Sequence, residues 1–260
     1  MSTKDKGPLK LPKIPKQEMT PQLRVVAGIL APILRLIMNV KTTGQENVPK
    51  SGPYILVSNH MSMVDPLAVA YSVYIHLKRA PHYMAKEGLF RVPIFGWLIT
   101  KLGQIPVYRS GRSNEETLKA AKNFLDAGHT LQIFPEGTLT RDPNMWPMRG
   151  RSGAIRLAIE TGVPVIPVAH WGDQKIMGNY ESVLKPNPFQ VVNVLIGKEI
   201  PLDKYRNIQL TPELLKEASN LVMTEITKLV AQLRQEEPPK ELWDPAVAGQ
   251  PVVGNFRKKK

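Results

Sequence analysis

The chain has 260 residues, 42% of them apolar, which is enough for a hydrophobic core and argues against disorder throughout. It contains no cysteine, which excludes disulfide bonds, a thiol nucleophile and zinc–thiolate sites. The net charge is +13, and residues 1–16 and 257–260 contribute +4 each, so the two ends hold most of it.

The two basic ends are typical of segments that bind a polyanion, either an anionic bilayer or nucleic acid, although solvated tails have the same composition. An aromatic content of 7% and the lack of a nucleic-acid motif favour the anionic membrane surface and predict no nucleic-acid partner. We predict a flexible basic arm over residues 1–19, one domain over 20–235, and an irregular, Pro-rich basic tail over 236–260. We expect no secretory signal, because the basic N-terminus lacks an apolar core with a cleavage site.

The first predicted element is an apolar helix over residues 20–41, which begins with Thr20 as the N-cap and Pro21 at the first helical position. Its uncharged run, Val25 to Leu34, has ten residues. A bilayer span needs about 20. We therefore predict a membrane-docking helix that lies in the interface, with an ordinary core helix as the alternative.

Beyond this helix, short apolar runs alternate with amphipathic stretches. The predicted strands are Tyr54–Ser58, His82–Ala85, Gln104–Tyr108, Thr130–Phe134, Val163–Val168 and Gln190–Ile196. The predicted helices are Asp65–Ile75, short helices within Lys86–Lys101, Asn114–Ala127, Arg151–Thr161 and Thr211–Gln235. This alternation predicts a single α/β domain with a mostly parallel central sheet flanked by helices, and with its chemistry at the carboxyl ends of the strands.

The segment His60-Met-Ser-Met-Val-Asp65 follows a predicted strand and precedes a predicted helix. A carboxylate that accepts one imidazole N–H fixes the tautomer, so that the other ring nitrogen can take a proton from a hydroxyl. The pair can form only if His60 lies in the turn before the helix, and Pro66 favours that geometry because it disfavours a helical conformation at Asp65. The alternative is that Asp65 is only an N-cap.

The segment Gly103-Gln-Ile-Pro-Val-Tyr-Arg109 ends a predicted strand with an arginine. A guanidinium at the carboxyl edge of a sheet lies where an anion would bind, and arginine can bind phosphate through two parallel hydrogen bonds. Arg109 is therefore a candidate phosphate ligand, with Arg112 as a second, and a solvated strand-end arginine is the alternative.

The segment Phe134-Pro-Glu-Gly-Thr138 follows the next predicted strand. Gly137 permits a tight turn and a close approach of the backbone to a ligand. Glu136 could bind a ligand hydroxyl, brace Arg109 or hold the loop, and Arg141 makes the following stretch basic. A purely structural turn is the alternative.

A last apolar segment, Val163-Pro-Val-Ile-Pro-Val168, contains two prolines. Because proline has no N–H to donate, this strand is not expected to be a fully paired central strand. It could line an apolar pocket for an acyl chain, and core packing is the alternative.

In this order the four segments resemble the glycerolipid acyltransferase family, which includes the 1-acylglycerol-3-phosphate and glycerol-3-phosphate acyltransferases. The resemblance covers about residues 40–200, and its blocks are NHxSxxD at Asn59–Asp65, GxIxVxR at Gly103–Arg109, FPEGT at Phe134–Thr138 and VPVIPV at Val163–Val168. The chain departs from the family in placing Leu139-Thr140 where the third block often continues to Arg-Ser, and in showing one apolar N-terminal helix.

The resemblance implies direct transfer of a fatty acyl group from acyl-CoA or acyl carrier protein to a free hydroxyl of 1-acyl-sn-glycerol 3-phosphate, with no cofactor or metal. His60 would be the general base and Asp65 the carboxylate that orients it. The other implied roles are acceptor binding by Arg109, Glu136, Gly137, Thr138 and Arg141, oxyanion or donor contacts by Lys86 and Lys101, and an acyl pocket formed by Val163, Val165 and Ile166.

Glycerol 3-phosphate or another lysophospholipid is an alternative acceptor, and a peripheral location on the cytoplasmic face of the cell membrane is expected. A serine hydrolase is disfavoured because Ser58 and Ser62 lack the G-x-S-x-G context. A non-catalytic lipid-binding protein is the alternative from a different class. A metal hydrolase would use His60, Asp65, His82 and Glu136 as ligands. It is disfavoured because no H-E-x-x-H pair occurs.

Overall fold

The computed structural model of the chain describes residues 9, 11–108 and 113–251. Within them the strands are β1 Asn39–Thr43, β2 Ile55–Ser58, β3 His82–Lys86, β4 Ile105–Val107, β5 Leu131–Ile133, β6 Val165–Trp171 and β7 Val191–Ile196. The α-helices are α1 Pro21–Ile37, α2 Asp65–Ile75, α3 Glu87–Phe90, α4 Phe95–Lys101, α5 Ser113–Asp126, α6 Ser152–Thr161 and α7 Pro212–Arg234. Short 3-10 helices cover Gln45–Asn47, Asp173–Lys175 and Asp203–Tyr205.

The strands form one sheet in the order β1-β7-β6-β2-β5-β3-β4, and every neighbouring pair is parallel except β6 with β7. Successive side chains of a strand point to opposite faces. Accordingly Ile55 and Val57 of β2 enter a core with α5, α6 and α7, whereas Tyr54 and Leu56 pack with α2. The prediction of one α/β domain with a mostly parallel sheet flanked by helices is confirmed.

Strands β2 and β5 are parallel neighbours at the centre of the sheet, with Ile55 opposite Leu131 and Val57 opposite Ile133. Their carboxyl ends therefore lie side by side. The loop that begins at Asn59 and the loop that begins at Phe134 leave the sheet next to each other, which brings the first and third sequence blocks together.

Strand β1 was not expected from the sequence, which favoured a helix to about residue 40. Helix α1 ends at Ile37 because Met38 is extended, and Asn39–Thr43 then pairs in parallel with β7 at the edge of the sheet. Exposed and half-buried residues alternate along this strand. Its β-branched residues Val40, Thr42 and Thr43 suit a half-buried edge strand better than the last turn of a helix.

Strand β6 corrects the expectation for the proline-containing segment, because β6 lies inside the sheet and pairs with both β2 and β7. The Pro167 carbonyl accepts a hydrogen bond from the Gly197 amide, so this residue directs its backbone groups toward the β7 side. The paired ladder with β7 begins only at Val168. The missing N–H of Pro167 therefore removes no hydrogen bond from the β2–β6 ladder.

Helix α1 begins at the predicted cap, since the Thr20 side chain accepts a hydrogen bond from the Leu23 amide. It buries Leu23 and Leu34 and leaves a row of large apolar side chains exposed. That row consists of Val25, Ile29, Leu30, Ile33 and Leu36. No helix in the described residues is long and apolar enough to cross a bilayer.

The described parts of the two predicted tails are held against the domain. Glu18 pairs with Arg79 and accepts a hydrogen bond from the Thr130 amide at 2.6 Å, which differs from the flexible arm expected over residues 1–19. Toward the other end, Trp243 forms a bridge with Met148. Most of the basic residues of the two ends lie within residues 1–8, 10 and 252–260, which are outside the described residues.

Candidate active site

The His60 and Asp65 side chains form a pair, called the dyad below. His60 Nδ1 lies 2.9 Å from Asp65 Oδ2, and the same oxygen accepts hydrogen bonds from the Met61 amide at 2.6 Å and the Ser62 amide at 2.8 Å. These three contacts turn the loop back onto the first residue of α2. Asp65 is fully buried, whereas His60 keeps 17% of its side chain exposed, so its Nε2 is the ring nitrogen available to a substrate.

Burial lowers the pKa of His60 to about 3, and the nearby His170 ring adds to that shift. His60 is therefore neutral at physiological pH and free to accept a proton. Burial and the neighbouring Asp173 carboxylate raise the pKa of Asp65. The His60 ring also stacks on Phe134 at 4.2 Å between centroids, which fixes its plane.

Glu136 holds the two loops together. Its Oε1 accepts a hydrogen bond from the His60 amide at 2.7 Å, and its Oε2 accepts one from the Met148 amide at 3.1 Å. The side chain is buried and is not on the wall of the cavity described below. Of the three roles considered from the sequence, the contacts made by Glu136 are those of a residue that holds the loop.

Burial raises the pKa of Glu136 from 4.5 to about 8, so the folded state binds a proton that the unfolded state has released above pH 4.5. The free energy of unfolding is therefore expected to fall as the pH rises from 4.5 to about 8. In Glu136→Gln this dependence is expected to be weaker, and a buried N–H left without its acceptor is expected to cost about 1–3 kcal/mol. Urea unfolding at several pH values measures both effects. The exposed Glu46→Gln is the control, and an equal pH dependence in both variants would contradict the assignment.

A cavity of about 1750 Å³ opens beside the dyad. Pockets for drug-sized ligands measure about 300–1,000 Å³, so this one has room for two substrates. Most of its wall is apolar, and α1, α2 and α4 contribute to it, with Leu30, Leu67 and Leu98 as examples. The polar part of the wall consists of His60 and of other polar and basic residues, namely Lys86, Thr138, Arg149, Arg151, Arg156 and Lys216.

The loop after β5 reaches this polar part of the wall. Gly137 has φ of +69°, which favours glycine, and an added Cβ would lie 2.8 Å from Arg151 Nε. Arg151 is thus packed over the loop, and its amide donates to the Pro135 carbonyl. The Thr138 hydroxyl lies 3.5 Å from the Tyr180 hydroxyl. Gly137 and Thr138 therefore lie on the cavity wall, and their role as acceptor contacts stays a prediction.

Four of the predicted residues lie elsewhere, and one cannot be placed. Val163, Val165 and Ile166 are buried in the packed core rather than on the cavity wall, because β6 is an internal strand. Lys101 is exposed at the end of α4, off that wall. Arg109 lies outside the described residues.

Arg141 also departs from its expected place. Its side chain is 1% exposed and does not contribute to the cavity wall, whereas Arg149 and Arg151 do. From the sequence, Arg151 was expected at the start of a helix, and neither arginine was assigned a ligand. Nothing in their local sequence shows that the chain turns them toward His60.

Known proteins match the part of the chain that contains the dyad. Residues 39–171 match the family described as Acyltransferase, and this range is half of the chain and contains the dyad. The chain belongs to the acyltransferase family. It is 35% identical over 152 residues to 1-acyl-sn-glycerol-3-phosphate acyltransferase BAT2 of Brassica napus, which covers 57% of this chain and 42% of that protein. It is 32% identical over 135 residues to the 1-acyl-sn-glycerol-3-phosphate acyltransferase of Borreliella burgdorferi, half of each chain.

The chain spans half or less of the length of these two relatives. Among solved structures, it is similar to the 1-acyl-sn-glycerophosphate acyltransferase PlsC of Thermotoga maritima, with a TM-score of 0.62 and 24% identity. That match covers 84% of this chain and 82% of the other. The likeness shows a shared fold.

Behind the dyad of this acyltransferase-family chain lies a buried polar group that the sequence did not reveal. Asp65, His170 and Asp173 are fully buried, and their ligand-type atoms lie within 4.8 Å of one another, close enough to hold a metal ion. These three residues differ from the metal ligands considered from the sequence, because His82 instead stacks on His129 and meets Phe124 edge-on. Asp65 Oδ2 already accepts three hydrogen bonds, which favours a hydrogen-bonded network over metal ligation at this oxygen.

Proposed function

We propose that the chain transfers a fatty acyl group from an acyl thioester to the free hydroxyl of 1-acyl-sn-glycerol 3-phosphate, which yields phosphatidic acid. The observation that carries this proposal is the His60–Asp65 dyad beside a large cavity whose wall is mostly apolar and in part basic. A lipid with a phosphate head group needs both parts of such a cavity. The names of the relatives favour the same acceptor.

In the proposed reaction His60 Nε2 takes the proton of the acceptor hydroxyl while that oxygen attacks the thioester carbonyl. Asp65 keeps the other ring nitrogen protonated and stabilises the imidazolium that forms. The tetrahedral intermediate then breaks its C–S bond, and the imidazolium returns its proton to the departing thiolate. The products are an ester and a free thiol, and the thioester is reactive enough that the scheme needs no cofactor.

The acceptor phosphate is assigned to the basic part of the cavity wall. Arg151 packs over Gly137 in the loop next to His60, and Arg149 lies on the same wall. Arginine binds phosphate oxygens through paired hydrogen bonds, so Arg151 suits this ligand, whereas the Arg149 guanidinium already pairs with Asp244. Arg109 stays a candidate from the sequence. Lys86, which lies on the wall, stays a candidate for the oxyanion or the donor.

The apolar part of the cavity is assigned to the acyl chains. Its wall includes Leu30 and Leu34 of α1 together with Leu98 of α4, so the cavity reaches the helix whose other face is exposed and apolar. Acyl-CoA is the preferred donor and acyl carrier protein the alternative. A peripheral position on the cytoplasmic face of the membrane would let the acceptor enter from the bilayer.

The test is acyl transfer by the purified chain, followed as thiol release from palmitoyl- or oleoyl-coenzyme A. The acceptors are 1-acylglycerol 3-phosphate, 2-acylglycerol 3-phosphate, glycerol 3-phosphate and the phosphate-free 1-acylglycerol, with acyl carrier protein donors run in parallel. Release that requires 1-acylglycerol 3-phosphate supports the proposal. Preference for glycerol 3-phosphate would replace the acceptor, and no acceptor-dependent release with any donor would favour a non-catalytic lipid-binding role.

Membrane docking through α1 makes a separate prediction. Ile29 and Ile33 are exposed by 61% and 45%, whereas Leu34, which the sequence alone would also select, is buried. Replacing Ile29 and Ile33 by Asp is expected to weaken binding to vesicles with anionic lipid at least about 100-fold. The substitutions remove two apolar side chains that would insert, and the added negative charges oppose insertion. Co-sedimentation measures this effect.

The matched control replaces Val183 and Ile208 by Asp, since these residues are exposed by 59% and 46% but lie outside α1. The control is expected to bind vesicles like the unmodified chain. Equal binding by both double variants would exclude α1 as the docking element.

A further inference from the structure

A buried histidine–aspartate pair lies directly behind the dyad. His170 is in the last part of β6, Asp173 follows it in a 3-10 turn, and His170 Nδ1 lies 2.7 Å from Asp173 Oδ2. Both side chains are fully buried. Burial raises the pKa of Asp173, but the adjacent His170 ring, a hydrogen bond with Asp65 and a backbone hydrogen bond together make the net shift downward. The Asp173 carboxylate therefore faces the Nδ1 side of the buried His170 ring.

The first link from this pair to the dyad runs through the peptide that joins Asn59 to His60. His170 Nε2 lies 2.6 Å from the Asn59 carbonyl oxygen, and because a carbonyl only accepts, Nε2 carries a proton. The amide of the same peptide, on His60, donates to Glu136. A peptide group is planar, so holding its oxygen and its N–H fixes the plane from which the His60 side chain projects.

The Asn59 side chain strengthens this link. Its Nδ2 donates to the His170 carbonyl at 3.1 Å, and its Oδ1 accepts from the His170 amide at 3.0 Å. Three hydrogen bonds thus join Asn59 to His170. Because β2 and β6 are parallel neighbours, these residues meet at adjacent strand ends although 111 positions separate them.

The second link is electrostatic. His170 Nε2 lies 3.9 Å from Asp65 Oδ2, which receives the His60 hydrogen bond. The other Asp65 oxygen, Oδ1, is buried without a hydrogen-bond donor in the described structure. A buried carboxyl group is costly without polar partners, and the His170 ring is the polar group beside this one.

We propose that His170 and Asp173 are positioning residues for the transfer reaction. His170 holds the Asn59–His60 peptide beside Asp65, and Asp173 keeps the His170 ring oriented. The proposal rests on the function proposed above. It adds two residues that do not touch the substrate but keep His60 Nε2 in the position from which it takes a proton.

The first test compares His170→Gln and Asp173→Asn with the unmodified chain. Each is expected to lower kcat about 10- to 100-fold, as small misplacements of a catalytic group do, with KM for both substrates changed less than about twofold. His129→Gln is the matched control, because His129 is also a buried histidine but packs on His82 and Phe124. Its kcat is expected to stay unchanged, and melting temperatures show which variants remain folded.

The second test uses the pH profile, which a purely structural role would not shift in this way. Burial is the main cause of the low pKa of His60, the His170 ring lowers that pKa further, and Asp173 raises it. The acid limb of kcat is therefore expected to move to higher pH in His170→Gln and to lower pH in Asp173→Asn. The other ionisable groups around the dyad are present in both variants. They are Asp65 on α2, Tyr83 on β3, Glu136 after β5, and Lys86, Arg149 and Arg151 on the cavity wall.

The outcomes separate this inference from the proposed function. If the unmodified chain transfers no acyl group, the proposed function fails. The inference can still be tested, because NMR of the His60 imidazole C–H resonances against pH shows whether the His60 pKa shifts in His170→Gln and Asp173→Asn. If the chain is active, unchanged kcat and an unshifted acid limb in both variants would overturn the inference. Activity lost to a chelator and restored by a divalent cation would also overturn it, because the group would then be a metal site.

Discussion

His60→Gln is expected to lower kcat for acyl transfer about 1,000-fold, near the middle of the range for loss of a general base. The glutamine amide can still donate to Asp65, but it has no basic nitrogen to face the acceptor hydroxyl. Binding of both substrates depends on the cavity wall and its arginines, so the KM values are expected to change little. Initial rates of thiol release at saturating substrate measure the effect.

Two comparisons make this result specific to the base. His129→Gln removes a buried imidazole away from the cavity wall and is expected to retain full activity. The His60 ring stacks on Phe134, so His60→Gln is also expected to lose about 1 kcal/mol of stability. Thermal unfolding shows whether enough folded protein remains. A folded His60→Gln with normal kcat would contradict the proposed mechanism, although acyl transfer itself would stand.

The sequence predicted the centre of the site because local rules decide it. A short buried strand that ends before His60, and Pro66 just after Asp65, place the histidine in a turn and the aspartate at a helix start. The structure confirms that arrangement with a 2.9 Å contact. The loops after β2 and β5 could also be brought together in advance, since both follow strands of one mostly parallel sheet.

What the sequence could not predict depends on contacts between distant segments. Strand β1 has β-branched residues that suit a strand, but its partner β7 lies far along the chain, so the sequence did not reveal their pairing. The His170 ring reaches Asn59 only because β6 is internal and extends to Trp171, beyond the segment expected to be a strand. The sequence allowed three roles for Glu136. Which of them applies depends on the position of the Met148 amide, 12 residues along the chain.

Asp65→Asn separates the charge of the dyad from its hydrogen bonds. All three donors to Asp65, the His60 ring and the Met61 and Ser62 amides, reach the same oxygen. An asparagine can place its carbonyl oxygen there and direct its NH₂ group toward Asp173. The loop and the His60 tautomer are then kept, and what disappears is the negative charge that stabilises the imidazolium.

We therefore expect Asp65→Asn to fold normally and to lose about 100- to 1,000-fold in kcat, less than the approximately 10⁴-fold loss that follows when a wrong tautomer is imposed. Asp65→Ala removes the acceptor as well and is expected to cost about 2–5 kcal/mol of stability, because buried donors lose their partner. Thiol-release rates and urea unfolding of both variants measure the two effects. Full activity in Asp65→Asn would mean that this carboxylate only shapes the loop. An Asp65→Asn variant as unstable as Asp65→Ala would mean that the asparagine amide does not replace the carboxylate as the acceptor of the three hydrogen bonds.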